Sequence, residues 1–258
     1  MSRLGTVEGS CEALIEEAAA APIEGWDFSW LDGRATEERP SWGYSRLLAE
    51  RATDVSSLLD LQTGGGELLG QLPRLPPLTV ATEGWEPNVR RTALRLHPRG
   101  AWVVVAQEDR PTLPFGAGTF DLIASRHPVV TWWEEVARLL RPGGRYLSQQ
   151  VGPYTMREVS EFFVGPQPAT SSRSPELARE KAAAAGLRVD DLRMERLRAT
   201  FADVGAVVYF LRLVVWTVPD FSAEKYRDRL RAMHREITTN GPFVAHATRF
   251  LIEATKPG

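Results

Sequence analysis

Leu58-Leu59-Asp60-Leu61-Gln62-Thr63-Gly64-Gly65-Gly66-Glu67-Leu68-Leu69 is the stretch that decides the fold. An apolar run ends in an acid, a glycine cluster follows, and then come residues able to open a helix. A buried parallel strand reads as a short apolar run. Glycines after it let the backbone approach a ligand with no Cβ in the way. A helix beginning there aims its free N–H groups and its positive dipole end at the same place. The stretch therefore predicts strand, glycine loop and helix around a small molecule. A P-loop needs Gly-Lys-Ser/Thr after the glycines, and Glu67 stands there instead. A dinucleotide G-x-G-x-x-G needs a third glycine three residues after the second, and that spacing is absent.

Working outward, Glu83 lies about twenty residues beyond the loop. Leu113-Pro114-Phe115 precedes Phe120-Asp121-Leu122-Ile123, and Arg138 to Gly144 reads Arg-Leu-Leu-Arg-Pro-Gly-Gly before another strand. With these residues, in this order, the chain resembles the class I (Rossmann-like) S-adenosylmethionine (SAM)-dependent methyltransferases of the type 11-like kind. Their first motif runs acid-x-Gly-x-Gly-x-Gly. Asp60 to Gly66 fits it, except that Gln62 stands where that family usually has its first glycine. The resemblance covers roughly residues 40–255. It implies an α/β fold: a doubly wound, mostly parallel seven-stranded sheet with an antiparallel last strand and helices on both faces.

The resemblance also implies SAM as cofactor and assigns its contacts. Asp60, Thr63, Gly64, Gly65 and Gly66 form the loop, followed by Glu83 and Gly84. Glu83 accepts from the ribose hydroxyls; a carboxylate can take two parallel O–H donors. Asp109, or Glu108 beside it, accepts from the adenine amino group. Tyr44, on a helix before the first sheet strand, lies near the methionine end. Ser125, Arg126 and His127 follow the Phe-Asp-Leu-Ile strand, and ligands in such sheets sit beyond the strand carboxyl ends.

Methyl transfer from a sulfonium mainly needs alignment. Where a base is needed, His127 is the expected one, because imidazole titrates near neutrality. His246 and Asp203 are weaker choices for the same task. Trp133, Tyr209 and Trp216 offer aromatic faces to a sulfonium or an apolar acceptor. Gln149 stands near a strand carboxyl end. These five residues, Trp133, Gln149, Asp203, Tyr209 and Trp216, make the expected acceptor pocket.

The remaining pattern predicts a helix over 10–21, with Leu14, Ile15 and Ala18 on one face, then an aromatic loop from Trp26 to Arg34. Residues 1–54 are read as a helical, aromatic lid and 55–258 as the SAM-binding domain. A helical insertion at about 203–239 sits within its final strand pair. Capping-box spacings start helices at Thr131 and Thr155, and Ser174 and Ser222 cap two more.

The 258 residues, 43% of them hydrophobic, suffice for a large α/β core. Net charge of -2 gives no footprint for nucleic acid. Cys11 is the only cysteine, so disulfides and Cys-based zinc sites within one chain are excluded, and a cytoplasmic setting is expected. Val204 to Val218 is too short for a membrane span, and no Asp/His cluster has metal spacing, so neither membrane nor metal is expected. Nothing in the sequence fixes an oligomeric state. The favoured activity is transfer of a methyl group to an O, N or C nucleophile of a small molecule. The alternatives are an RNA or protein methyltransferase, or a SAM-binding protein without turnover.

Overall fold

Asp60 lies on an interior strand of the sheet, paired on one side with the strand that carries Phe120-Asp121-Leu122-Ile123. The structure is a computed structural model describing residues 10–23, 27–107, 109–168 and 172–258. Glu108 and Trp26 lie outside the described residues. The first half carries α1 (Cys11–Ala20), β1 (Ala35–Glu37), α2 (Tyr44–Arg51), β2 (Ser57–Leu61), α3 (Glu67–Gln71), β3 (Leu78–Glu83), α4 (Glu86–Leu96) and β4 (Trp102–Val105). The second half carries β5 (Phe120–Arg126), α5 (Trp133–Leu139), β6 (Leu140–Val151), α6 (Arg157–Val164), α7 (Pro175–Ala184), β7 (Arg188–Phe201), α8 (Val204–Leu213), α9 (Arg227–Asn240) and β8 (Phe243–Thr255).

The hydrogen-bonded strand order is β1-β7-β8-β6-β5-β2-β3-β4. Strands β2, β3, β4, β5 and β6 pair in parallel, and β8 runs antiparallel to β6, with Arg145 opposite Thr255. The expected α/β sheet is present, and among the described residues it has an eighth strand. That strand, β1, pairs antiparallel with the end of β7, Ala35 opposite Phe201. Three residues without apolar alternation leave no period to read.

By contacts the chain forms two compact units. One comprises Pro40–Pro153, Ser171–Glu195 and Arg249–Gly258. Its β2 is buried along its whole length, as a strand covered on both faces must be. Trp42, Tyr44 and Leu48 pack with Leu58, Leu122 and Leu147. By its contacts α2 lies in this unit. On β5 and β6, Phe120, Ile123 and Tyr146 join Trp133, Val136 and Phe250.

The other unit comprises the described part of Met1–Arg39, with Tyr154–Thr170 and Arg196–Thr248. Leu14, Ile15 and Ala18 of α1 are buried, as their spacing predicts, in a cluster with Val204, Val207, Val208 and Leu211 of α8.

Both capping boxes fail as caps. Helix α5 starts after Trp132 with no side-chain cap, and Thr131 Oγ1 instead accepts from Gln150 Nε2 at 3.2 Å. Helix α6 starts after Met156; Thr155 Oγ1 accepts from the Thr248 N–H, and Glu158 turns to His246. In both cases a tertiary partner outcompetes the helix end. Ser174 does cap α7, its Oγ accepting from Leu177 N. Ser222 accepts from Lys225 N in a turn, and α9 starts only at Arg227.

Among the described residues no helix is long and apolar enough to cross a membrane.

The Leu-Pro-Phe segment and the arginine run before Pro-Gly-Gly meet in one ion pair. Arg138 donates to Glu135 at 2.6 and 2.7 Å and to the Phe115 carbonyl at 2.8 Å, while Glu135 accepts from Leu113 N at 2.7 Å. Glu135 is buried, so losing its partner leaves a costly charge. We expect Arg138→Ala to cost roughly 2–4 kcal/mol of stability by urea denaturation; a loss under about 0.5 kcal/mol would show the pair to be dispensable.

Candidate active site

The glycine loop is shaped by hydrogen bonds that its own sequence does not advertise. Glu83, at the tip of β3, accepts from Gly64 N at 2.8 Å through Oε2, and from Gly84 N and Trp85 N at 2.9 Å through Oε1. Thr63 N donates to the Thr82 carbonyl at 2.9 Å. Thr92 of α4 donates to the Gly64 carbonyl at 2.6 Å, and Arg95 donates to the Gly65 carbonyl. Gly64 and Gly66 hold φ of 66° and 73°, where a side chain is strained. A Cβ on Gly64 meets open space, whereas one on Gly84 would lie 2.7 Å from the Ala106 carbonyl. Gly64 therefore faces open space, and Gly84 is glycine for close packing between strand tips.

Asp60 is buried beneath this loop, and Thr63 Oγ1 donates to its Oδ2 at 2.5 Å. Burial pushes its carboxyl up to about 7 against the pull of Thr63 and Arg126, with Glu83 adding to the rise. Arg126, exposed at the tip of β5, is the cation that acts on Asp60. The structure thus gathers Asp60, Thr63, Gly64, Gly65, Gly66, Glu83, Gly84 and Arg126 in one unit. Asp109 lies in an exposed turn of the same unit.

Other expected contacts are spent elsewhere. Ser125 is buried, with its Oγ bonded to Tyr146 Oη at 2.7 Å and Ser148 Oγ at 2.8 Å, so its side chain serves the sheet. Tyr44 Oη donates to the carbonyls of Ser125 at 2.9 Å and Leu147 at 3.1 Å, which ties α2 to the strands. Burial and the nearby Asp60 push that phenol further up.

His127 does not suit a base. Trp42 Nε1 can only donate, and it donates to Gln149 Oε1 at 2.8 Å. That fixes the Gln149 amide so that its Nε2 donates to His127 Nε2 at 2.9 Å, using the lone pair a base would need. Burial, with Arg249 and Arg126 nearby, pushes the imidazole down to about 3. His127 and Gln149 are a fixed, neutral pair. Trp133 is buried, edge-on to Tyr146 at 5.6 Å, and lines a cavity of about 180 Å³ with Val129, Val130, Thr131 and Gln150.

Asp203, Tyr209 and Trp216 belong to the other unit. Asp203 is the N-cap of α8, its Oδ1 accepting from Ala206 N at 2.9 Å. Tyr209 stacks on Trp30 at 4.7 Å and donates to the Pro22 and Asp27 carbonyls, so it anchors the N-terminal segment. Trp216 is half-exposed after α8. His246, also in this unit, bonds Glu158 at 2.7 Å through Nδ1.

Sequence reasoning missed Trp42, Thr92 and Arg95. Only Trp42 carried a signal, as an aromatic just before α2.

Comparisons with known proteins agree on the fold. Residues 59–148 match the family model for a methyltransferase domain. No curated protein matches. Among solved structures, the chain is similar to a candidate methyltransferase of Bacillus halodurans C-125, with 16% identity over 83% of this chain and 99% of that one, at a TM-score of 0.59. It is similar to the [4+2]-cyclase SpnF, with 18% identity over 95% and 93% and a TM-score of 0.51. It is similar to a geranyl diphosphate methyltransferase in complex with SAM, with 15% identity over 82% and 84% and a TM-score of 0.50.

Two pH effects follow. Asp60 titrates higher in the folded chain than its ordinary 3.8, so its contribution to stability is present at low pH and lost as pH rises through about 7. We expect Asp60→Asn to unfold less readily than the parent by roughly 2–4 kcal/mol at about pH 8.5 without ligand, a gap that shrinks toward about pH 5. A pH-independent gap in urea titrations would contradict this. His127 titrates lower than its ordinary 6.5, so its contribution is lost as pH falls from there toward about 3. His127→Asn, which tolerates the positive φ of 54° here, should flatten that acid limb.

Proposed function

We propose that this chain, whose residues 59–148 match the model of a methyltransferase domain, is a class I SAM-dependent enzyme that transfers the methyl group to an uncharged, partly apolar small molecule. The observation that carries this reading is the open approach to Gly64 beside Asp60 and Glu83, in the same unit as a cavity where Val129, Val130, Trp133 and Phe250 meet the polar Thr131, Gln150 and Lys181. The residues fit the cofactor. Gly64 leaves room for a close approach, and Glu83 Oε2, with one backbone donor, keeps a lone pair for a ribose hydroxyl. Asp60 and Arg126 offer one charge of each sign to the zwitterionic methionine end. Asp109, with Glu108 beside it, is the adenine-side acid in this reading. When bound, SAM supplies a methyl on a good leaving group.

The chain's own residues then align and shield. Trp133 and Val130 present apolar surface to an acceptor. Gln150, with its Nε2 on Thr131, adds polar orientation at the cavity edge. With His127 held neutral and already bonded, transfer rests on alignment of the acceptor's own nucleophile rather than on an imidazole base. The net charge of -2 disfavours an RNA acceptor, and the sole cysteine favours a reducing, cytoplasmic setting.

Calorimetry with S-adenosylhomocysteine tests the cofactor site. Glu83→Gln replaces one oxygen with a donor facing N–H groups, so affinity should fall at least about tenfold; unchanged affinity would remove Glu83 from the site. Incubation with methyl-labelled SAM and panels of small molecules, RNA and protein tests the acceptor. Label in an organic-soluble product supports the reading. Label in RNA or protein, or binding with no transfer to any panel, selects an alternative. On the acceptor so found, His127→Asn should keep turnover within about fivefold, since no proton transfer is assigned to it.

A further inference from the structure

Gln62 breaks the glycine motif, and the structure gives it work that a glycine could not do. It sits at the end of β2 with φ of 54°, a left-handed conformation that favours glycine. Its backbone N–H donates to Thr82 Oγ1 at 3.2 Å. Its side-chain amide reaches across to the segment after β5. Oε1 accepts from Val129 N at 2.7 Å, and Nε2 donates to the Val130 carbonyl at 2.6 Å. One donor and one acceptor on each side fix the amide orientation, as in a rung between two strands.

Val129 and Val130, with Pro128 and Thr131, are one wall of the cavity. That wall is pinned to β6 at both ends. His127 N donates to the Gln149 carbonyl at 2.7 Å, and Gln150 bonds Thr131. Between these pins, Gln62 is the side chain that joins the wall to the glycine loop. It is followed directly by Thr63, which holds Asp60, and by Gly64, which holds Glu83.

We infer that Gln62 is a positioning residue that transmits occupancy of the glycine loop to the wall of the neighbouring cavity. Ligand-induced tightening at residues 63–66 passes through one amide to Val129 and Val130. The acceptor cavity is thereby set by the cofactor. This inference rests on reading Asp60 and residues 63–66 as the cofactor contacts, with Gln62 outside them. A brace with no transmitting role would hold Val129 equally with and without ligand.

Amide hydrogen exchange of Val129 in the full chain, followed by NMR with and without saturating S-adenosylhomocysteine, tests this. Its N–H is the donor to Gln62. In the wild type, the ligand should slow Val129 exchange by about fivefold or more. Gln62→Gly accommodates the positive φ and removes the amide. It should bind S-adenosylhomocysteine within about threefold of wild type. Its Val129 should exchange faster and no longer respond to ligand. Gln62→Glu keeps the acceptor for Val129 N and should retain part of the response. A Val129 that responds to ligand equally in wild type and Gln62→Gly overturns the coupling, as does a wild-type Val129 indifferent to bound ligand. Failure of the wild type to bind S-adenosylhomocysteine overturns the cofactor reading as well, and the two failures are told apart by that measurement.

Discussion

The site depends on the clasp between one carboxylate and three backbone amides. Glu83 gathers Gly64, Gly84 and Trp85 at the tip of β3. Such charge-assisted bonds are stronger than neutral ones, and they hold a loop that glycine alone would leave loose. The clasp sets where the Gly64 backbone lies, hence the roof over Asp60. Thr92 and Arg95 of α4 take the loop carbonyls from the other side. The amides of Thr63 and Gly64 are therefore turned toward β3, and the carbonyls of Gly64 and Gly65 toward α4. The same acid that the resemblance assigns to the ribose is also a builder of the loop, so binding and architecture share a residue.

Much of this was legible in the sequence. The apolar run at 58–61 is a buried strand, and the acids at 60 and 83 stand at the tips of paired strands, Asp60 on β2 and Glu83 on β3. Leu14, Ile15 and Ala18 face a core as their spacing requires. What was not legible depends on partners distant in sequence. His127 has the right chemistry and strand position for a base, yet Gln149, oriented by Trp42, occupies its lone pair. Ser125 has the right position, yet its hydroxyl belongs to Tyr146 and Ser148. Asp203, read as an acceptor-side acid, also caps α8, which depends on a fold partner the residue type alone does not announce. Local signals for caps at Thr131 and Thr155 were real, and tertiary hydrogen bonds overrode them. Local pattern reports which elements form. It does not report which lone pairs remain free.

Two glutamines show one device used twice. Gln149 links a tryptophan to a histidine, and Gln62 links a glycine loop to a cavity wall. Each uses both ends of its amide, so each is oriented without ambiguity. A glutamine can substitute for a peptide group where two segments run close but not in strand register. The conformational cost of a left-handed Gln62 is of order 1 kcal/mol and is of the size that two such hydrogen bonds offset.

The near-neutral titration of Asp60 has a thermodynamic signature of its own. At about pH 7 the carboxyl is roughly half protonated in the empty chain. A cationic group settling beside it favours the ionised form and expels that fraction of a proton into solution. Association heats measured in phosphate and in Tris would then differ by the heat each buffer releases or absorbs on taking up the proton. The apparent enthalpy of the cofactor would be a property of the solvent as much as of the contacts.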